Sequence, residues 1–360
     1  MKNKIIIILL LLFSINIILA DILETNKSLC DTCEKKIYVN FESTSFIKNN
    51  EYFHHFTKGY TGIGFFIKPT IEYYLTKNTK ANLGIYLLKY SGVDNFTQSI
   101  PIFTIQHKLT KNTDLIFGNI YGTLDHKLEE PIFRFDTYYQ KNIEYGLQLL
   151  HNSKYLQSDI WMNWEKFIFH NSPFQEEIVA GTNTNITFSP NNKFNITLPL
   201  QTLISHEGGQ IDTVDDPAVS IFNGATGVKF NYSLNKNSIV NLEILKLWFD
   251  GWNLPDSGVN SQIFKNGNGF YTKLNFENKF LTLMIGYWTA EKFIAPKGEY
   301  LFQSVSDFND TYSQIKRELI TTKFAIKKEV TNSFKIQFGF DGYYDLVNNN
   351  FDFSYSLYFV

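Results

Sequence analysis

Few stretches of this chain combine residue types that could make or break bonds. The nearest is His206-Glu207-Gly208-Gly209, with Asp212, Asp215 and Asp216 close behind. A histidine near a nucleophile, or acids gathered at a rim, is the minimum for hydrolysis. The spacing fits no zinc signature, and no Gly-x-Ser-x-Gly elbow occurs. The acids could hold Ca²⁺ in a loop, with a solvated turn as the default reading. No phosphate loop or nucleotide fingerprint is present. From these residues alone no catalytic site, no metal and no cofactor are expected, and enzyme activity is the lesser reading.

Other candidates suit binding better than catalysis. The stretch from Asp125 to Asp136 mixes both charges with aromatics and includes His126, Glu129, Glu130 and Arg134. It could fold inward as a constriction, with a solvated surface loop as the default. Trp161 and Trp164 could stack a sugar, or belong to an interfacial belt. Cys30 and Cys33 are spaced for a local disulfide in an oxidising compartment, and no further ligands for a metal stand nearby.

The elements that would carry these residues are strands. The chain opens with Met1-Lys2-Asn3-Lys4, an apolar run from Ile5 to Leu19, and Ala20 before Asp21. That order predicts a cleaved signal peptide at 1–20. The run is shorter than the roughly 20 apolar residues of a spanning helix. A periplasmic N-terminal tail is expected at 21–35 and a barrel at 36–360. Basic and acidic residues nearly balance, 33 against 35, which gives no reason to expect nucleic acid. Aromatics reach 17% of the chain, and no later run is apolar enough for a membrane helix.

Hydrophobic residues recur with a period of two. Ile63, Phe65, Ile67, Ile71, Tyr73 and Leu75 fall on one side, and Lys68, Thr70 and Glu72 on the other. Such sets share one face only in a strand. Short Asn-rich turns alternate with longer loops near 48–60, 91–100, 123–142, 166–176, 207–217, 251–266, 292–317 and 345–350. Asn is expected in the turns because it tolerates positive φ. Strict alternation puts all short turns at one rim. The fold class is therefore an all-β, transmembrane, antiparallel up-and-down β-barrel of about 16 strands, range 12–18. A soluble secreted β-protein is the rival. Bilayer favours the barrel, because closure pairs every backbone group.

With apolar faces toward lipid, the lumen receives Lys68, Glu72, Lys108, Gln148, Asp159, Glu165, Lys229, Lys273, Lys335 and Asp341. Tyr73, Tyr74, Trp161, Trp164, Trp248, Trp252, Tyr287, Trp288, Tyr343 and Tyr344 form a candidate aromatic girdle. Charges of both signs argue against strong ion selectivity.

The last segment, with Phe351, Phe353, Tyr355, Leu357 and Phe359 alternating, resembles the closing strand of Gram-negative outer-membrane proteins. It departs in ending on Val360. The aromatic, Asn-rich style also resembles barrels of Bacteroidetes-type bacteria. The resemblance implies the cell outer membrane as address, with outer-membrane lipid and the barrel-insertion machinery as partners. A porin-like channel for small hydrophilic solutes is the expected function, and a homotrimer is one assembly that reading allows. The alternatives are a blocked barrel that binds a partner or glycan through its outer loops, and a rim-sited hydrolase.

Overall fold

The computed structural model describes residues 23, 25, 28–30, 32–256, 261–331 and 333–360. The signal peptide expected at 1–20 lies outside them, as does Asn332 of one turn. Sixteen strands follow in chain order. The first eight are β1 Ile37–Glu51, β2 Thr61–Thr76, β3 Thr79–Tyr90, β4 Gln98–Thr110, β5 Thr113–Asn119, β6 Tyr145–Asn152, β7 Leu156–Lys166 and β8 Glu176–Phe188. The second eight are β9 Phe194–Gly208, β10 Val219–Asn235, β11 Ser238–Trp252, β12 Asn266–Asn278, β13 Leu281–Glu291, β14 Lys316–Thr331, β15 Phe334–Asp345 and β16 Asn350–Phe359. Each pairs antiparallel with its neighbours, and β1 closes on β16 with Ser45 opposite Phe359.

Closure leaves no free edge, and alternation gives the wall two chemically different faces. Val39, Phe41, Leu83, Phe117 and Ile285 point outward and are each more than half exposed. Apolar surface in water costs about 25 cal/mol per Å². A band this continuous belongs in hydrocarbon. Phe351, Phe353, Tyr355, Leu357 and Phe359 share that outer face on β16.

Short turns work differently from the expectation. Among the described residues no Asn of the short turns has positive φ; Asn171, Asn253 and Asn349, which do, sit in long loops. In the short turns a side-chain oxygen accepts the backbone N–H two residues on. Thr76 holds Asn78 in this way, Thr110 holds Asn112, and Asn235 holds Asn237. Asn and Thr are used there because their side chains stand in for a backbone acceptor. The ladder then slips by one residue, as between Tyr74 and Thr76 and between Ser233 and Asn235.

The girdle also divides. Trp164, Trp252, Tyr73, Tyr287 and Tyr344 are exposed on the outside. Tyr74, Trp161, Trp288 and Tyr343 are buried on the inner face. The wall is lowest at β5 and β6, with 7 and 8 residues against 17 in β10. Here the chain leaves the wall and enters the lumen. Gly118, at φ 95°, permits this, since a Cβ there would come within 2.1 Å of Phe103 O. Tyr145 bridges the gap by donating to Pro101 O at 2.7 Å.

Candidate active site

The 120–144 loop is not a solvated surface loop. It descends through a 3-10 turn, Thr123–His126, and a helical turn, Thr137–Gln140, and buries Ile132 and Tyr139 completely. A second loop, 292–315, packs from the other side with Phe293, Ala295 and Phe302 buried.

All five loop candidates are engaged inside. His126 Nδ1 meets Asp159 Oδ2 at 2.9 Å and Nε2 meets Glu144 Oε2 at 3.2 Å, while its ring stacks on Trp161 at 3.6 Å between centroids. Glu129 pairs with Lys273, which also meets Glu243 at 2.9 Å. Glu130 meets Lys323 at 3.0 Å and accepts from the Tyr343 hydroxyl at 2.6 Å. Arg134 donates to the Tyr300 hydroxyl at 2.9 Å, and Asp136 accepts from Asn50, Tyr60 and Tyr139.

The ten lumen candidates all lie on the inner face, and many are tied up. Lys68 meets Glu42 at 3.0 Å, Glu72 meets Lys80 at 2.7 Å, Glu165 meets Lys297 at 2.6 Å, and Asp341 meets Lys48 at 3.3 Å. Gln148 donates to Asp159 at 2.8 Å. Lys108, Lys229 and Lys335 face inward nearer the short-turn rim. A vestibule of about 940 Å³ opens toward the short-turn rim, lined by Lys68, Glu72 and Lys335 among others.

Burial would lower the pKa of His126, but the Glu144 and Asp159 carboxylates outweigh it and raise it to about 9. The ring is therefore charged at neutral pH. A histidine with a folded-state pKa above its unfolded value stabilises fully below the unfolded value, near 6.5. That stabilisation is lost as pH rises through about 9. The thermal midpoint of the barrel, followed by gel mobility of unheated and heated samples, should thus fall between pH 7 and pH 10.

A second constellation lies outside the wall, at the long-loop rim. His206 on β9 is directly opposite Ser220 on β10, and Nδ1 lies 2.9 Å from Oγ. Both alternate with buried inner residues, Leu203 and Ile221 among them, so both face outward. Register extends the row across five strands: Trp164, Ile178, His206, Ser220, Trp252. The exposed indoles at its two ends mark the lipid–water boundary. Gly208, on the same face, leaves room for the imidazole, since a Cβ there would come within 2.9 Å of Nε2.

The acids after His206 do not join it. Asp212 caps the backbone N–H of Val214, and the Asp216 carbonyl accepts from Gln175. Two similar cross-strand pairs exist at the opposite rim, His107 with Thr79 and His151 with Thr113. They carry secondary alcohols and lie beside the short turns. Sequence reasoning singled out His206 and missed Ser220, whose only signal is the register of the hairpin joining them.

Cys30 and Cys33 form a disulfide. The segment read as a periplasmic tail turns inward, with Leu23 only 6% exposed among lumen residues.

A closed sixteen-strand wall, apolar outside and polar within, with an indole-flanked outer rim, defines an outer-membrane β-barrel. Residues 25–360 match the model of the Lipid A 3'-O-deacylase-type family, and the chain belongs to that family. Among solved structures it resembles a loop L8 deletion mutant of OmpT, an outer membrane protein of Vibrio cholerae. Identity is 11% and the TM-score 0.54, over 89% of this chain and 98% of that one. It also resembles the outer membrane protein OprD of Pseudomonas aeruginosa, at 12% identity and a TM-score of 0.52, over 91% and 93%. These likenesses concern the fold. No curated protein matches the chain. Family membership overturns the expectation that the chain is not an enzyme: the matched family is named for a deacylase.

Proposed function

We propose that this barrel is an outer-membrane hydrolase that removes an ester-linked acyl chain from a glycolipid of the lipid A type. Family membership supports the reaction class, and the outward His206–Ser220 pair between Trp164 and Trp252 carries the reading. At that depth the ester carbonyls of an outer-leaflet lipid lie beside the wall. His206 Nδ1 accepts the Ser220 proton as Oγ attacks the acyl carbon. Collapse breaks the bond to the sugar oxygen, which leaves with the proton from His206. Water, deprotonated by the same imidazole, then cleaves the acyl-serine to give a free fatty acid and the restored hydroxyl.

In this mechanism the wall supplies position and the indoles hold the headgroup level. The test is expression in a Gram-negative host followed by mass spectrometry of the extracted glycolipid. One acyl chain should be missing with the native protein and present with Ser220→Ala.

A second reading, passive diffusion of small hydrophilic solutes, is favoured by the vestibule. It predicts stepwise conductance in planar bilayers that Ser220→Ala leaves unchanged. The paired lumen charges and two inward loops favour a small or absent step.

A further inference from the structure

Between β4 and β7 the ladder lapses toward the long-loop rim. The last rung of β4 on its β5 side joins Thr104 to Gly118, so Gln98 to Phe103 run on without a strand beside them. The last rung of β7 on its β6 side joins Asn163 to Gly146, and Trp164 to Lys166 run on in the same way. Three strand spacings set β4 and β7 roughly 14 Å apart across this notch. Hydrocarbon offers no water to bond such an edge. The sequence answers group by group. Pro101 has no N–H to satisfy, which suits it to an edge. Its carbonyl accepts the Tyr145 hydroxyl at 2.7 Å. The Phe103 N–H donates to Asn119 Oδ1 at 2.7 Å, and the Tyr145 N–H to Asn163 Oδ1 at 2.9 Å.

The chain returning from the lumen, 140–145, fills the notch as a shutter. On the β4 side, Gln98 Nε2 donates to Gln140 O at 2.6 Å. On the β7 side, Lys141 meets Glu165 at 3.6 Å. Glu165 also holds Lys297 at 2.6 Å, so Lys141 is its looser partner. Side-chain ties of this kind break singly, without the cooperativity of a ladder.

The shutter has apolar surface before and behind it. Phe103, Phe117, Tyr145 and Leu147 are exposed around the opening, continuous with the lipid-facing wall. Ile102 and Ile120 are buried behind it and, with Ile143, line the vestibule. Asn119 Nδ2, at the same place, is buried with no hydrogen-bond partner among the described residues. A leftover buried donor calls for an acceptor. An apolar path with one polar donor beside it fits a single acyl chain that ends in a carboxylate.

We propose that the notch is a lateral portal through which a long-chain fatty acid passes between the outer leaflet and the vestibule. Tyr145 is the bar across it. The tail runs past Ile120 and Ile143, and the carboxylate accepts from Asn119 Nδ2. This holds whether or not the rim pair cleaves lipid, because any fatty acid in the leaflet meets the same opening.

The experiment uses the full barrel in vesicles containing a long-chain fatty acid with a terminal diazirine. After illumination, mass spectrometry compares label on Ile120 and Ile143, behind the notch, with label on Leu283 and Ile285, exposed on the far wall. The native barrel should carry label at both places. Tyr145→Ala should raise the inner share about three- to tenfold, the shift expected when one hydrogen bond is lost. Tyr287→Ala removes another outward tyrosine, bonded to Glu318 at 3.0 Å, and should leave the share unchanged. Entry by the short-turn mouth would not respond to Tyr145. Heat-modifiable gel mobility checks that each variant has folded. No inner label in the native barrel, an equal share in the native and Tyr145→Ala barrels, or an equal rise with Tyr287→Ala overturns the portal.

Discussion

Replacing His206 by alanine should lower fatty-acid release by about 10²–10⁴-fold, the usual contribution of a positioned general base. The serine hydroxyl is a poor nucleophile at neutral pH, and the nearest base to Ser220 Oγ is His206 Nδ1 at 2.9 Å. Ser220→Ala should cost a similar factor. The double variant should be no worse than either single one, because the two residues act as a unit. His107→Ala and His151→Ala are the matched controls. They break cross-strand pairs of the same geometry at the other rim and should leave release unchanged. Loss of activity in those controls would mean that the barrel responds to any broken pair, and the rim assignment would fail. The rate is read as released acid per barrel, with folding verified by heat-modifiable mobility.

Replacing His126 by alanine should destabilise the barrel by about 3–5 kcal/mol, the cost of breaking a buried ion pair by removing one member. The imidazole lies between two carboxylates, Asp159 on β7 and Glu144 just before β6. Without it they confront each other across a cavity, and Trp161 loses its stacked neighbour. The Thr123 N–H and Gln148 still donate to these carboxylates, at 2.7 Å and 2.8 Å, so charge neutralisation rather than every hydrogen bond is lost. The variant should show a lower unfolding temperature at pH 7 and a flatter dependence from pH 7 to pH 10. A variant that melts with the native barrel and keeps its pH dependence would show that the cluster does not hold the loop.

The wall was legible because its cause is local. A period of two needs no long-range information, and the Phe351 to Phe359 alternation reads directly as an outward face. The alternation of short turns and loops likewise set the strand order and both rims. What the period cannot distinguish is the purpose of an inner aromatic. Trp161 and Trp288 share the type and spacing of girdle residues, yet meet His126 and Phe302 inside. Only the paths of the two inward loops decide that, and those paths depend on contacts with β7, β12 and β14 far along the chain. For the same reason His126 carried charge and aromatic context but no sign of its two carboxylates. The rim pair was half legible. Placing the loop at 207–217 centres the hairpin on residue 212 and would set His206 opposite Ala218. The hairpin instead sets His206 opposite Ser220, a shift of two residues that keeps the face and changes the chemistry.

The account rests most directly on chemistry at the lipid-facing rim. Purified barrel, reconstituted in vesicles whose leaflet contains a glycolipid with both ester- and amide-linked acyl chains, can be followed by mass spectrometry of the free fatty acids. The predicted result is release of an ester-linked chain alone, abolished in the His206→Ala, Ser220→Ala double variant. No release from the native barrel, or equal release from the double variant, would contradict it.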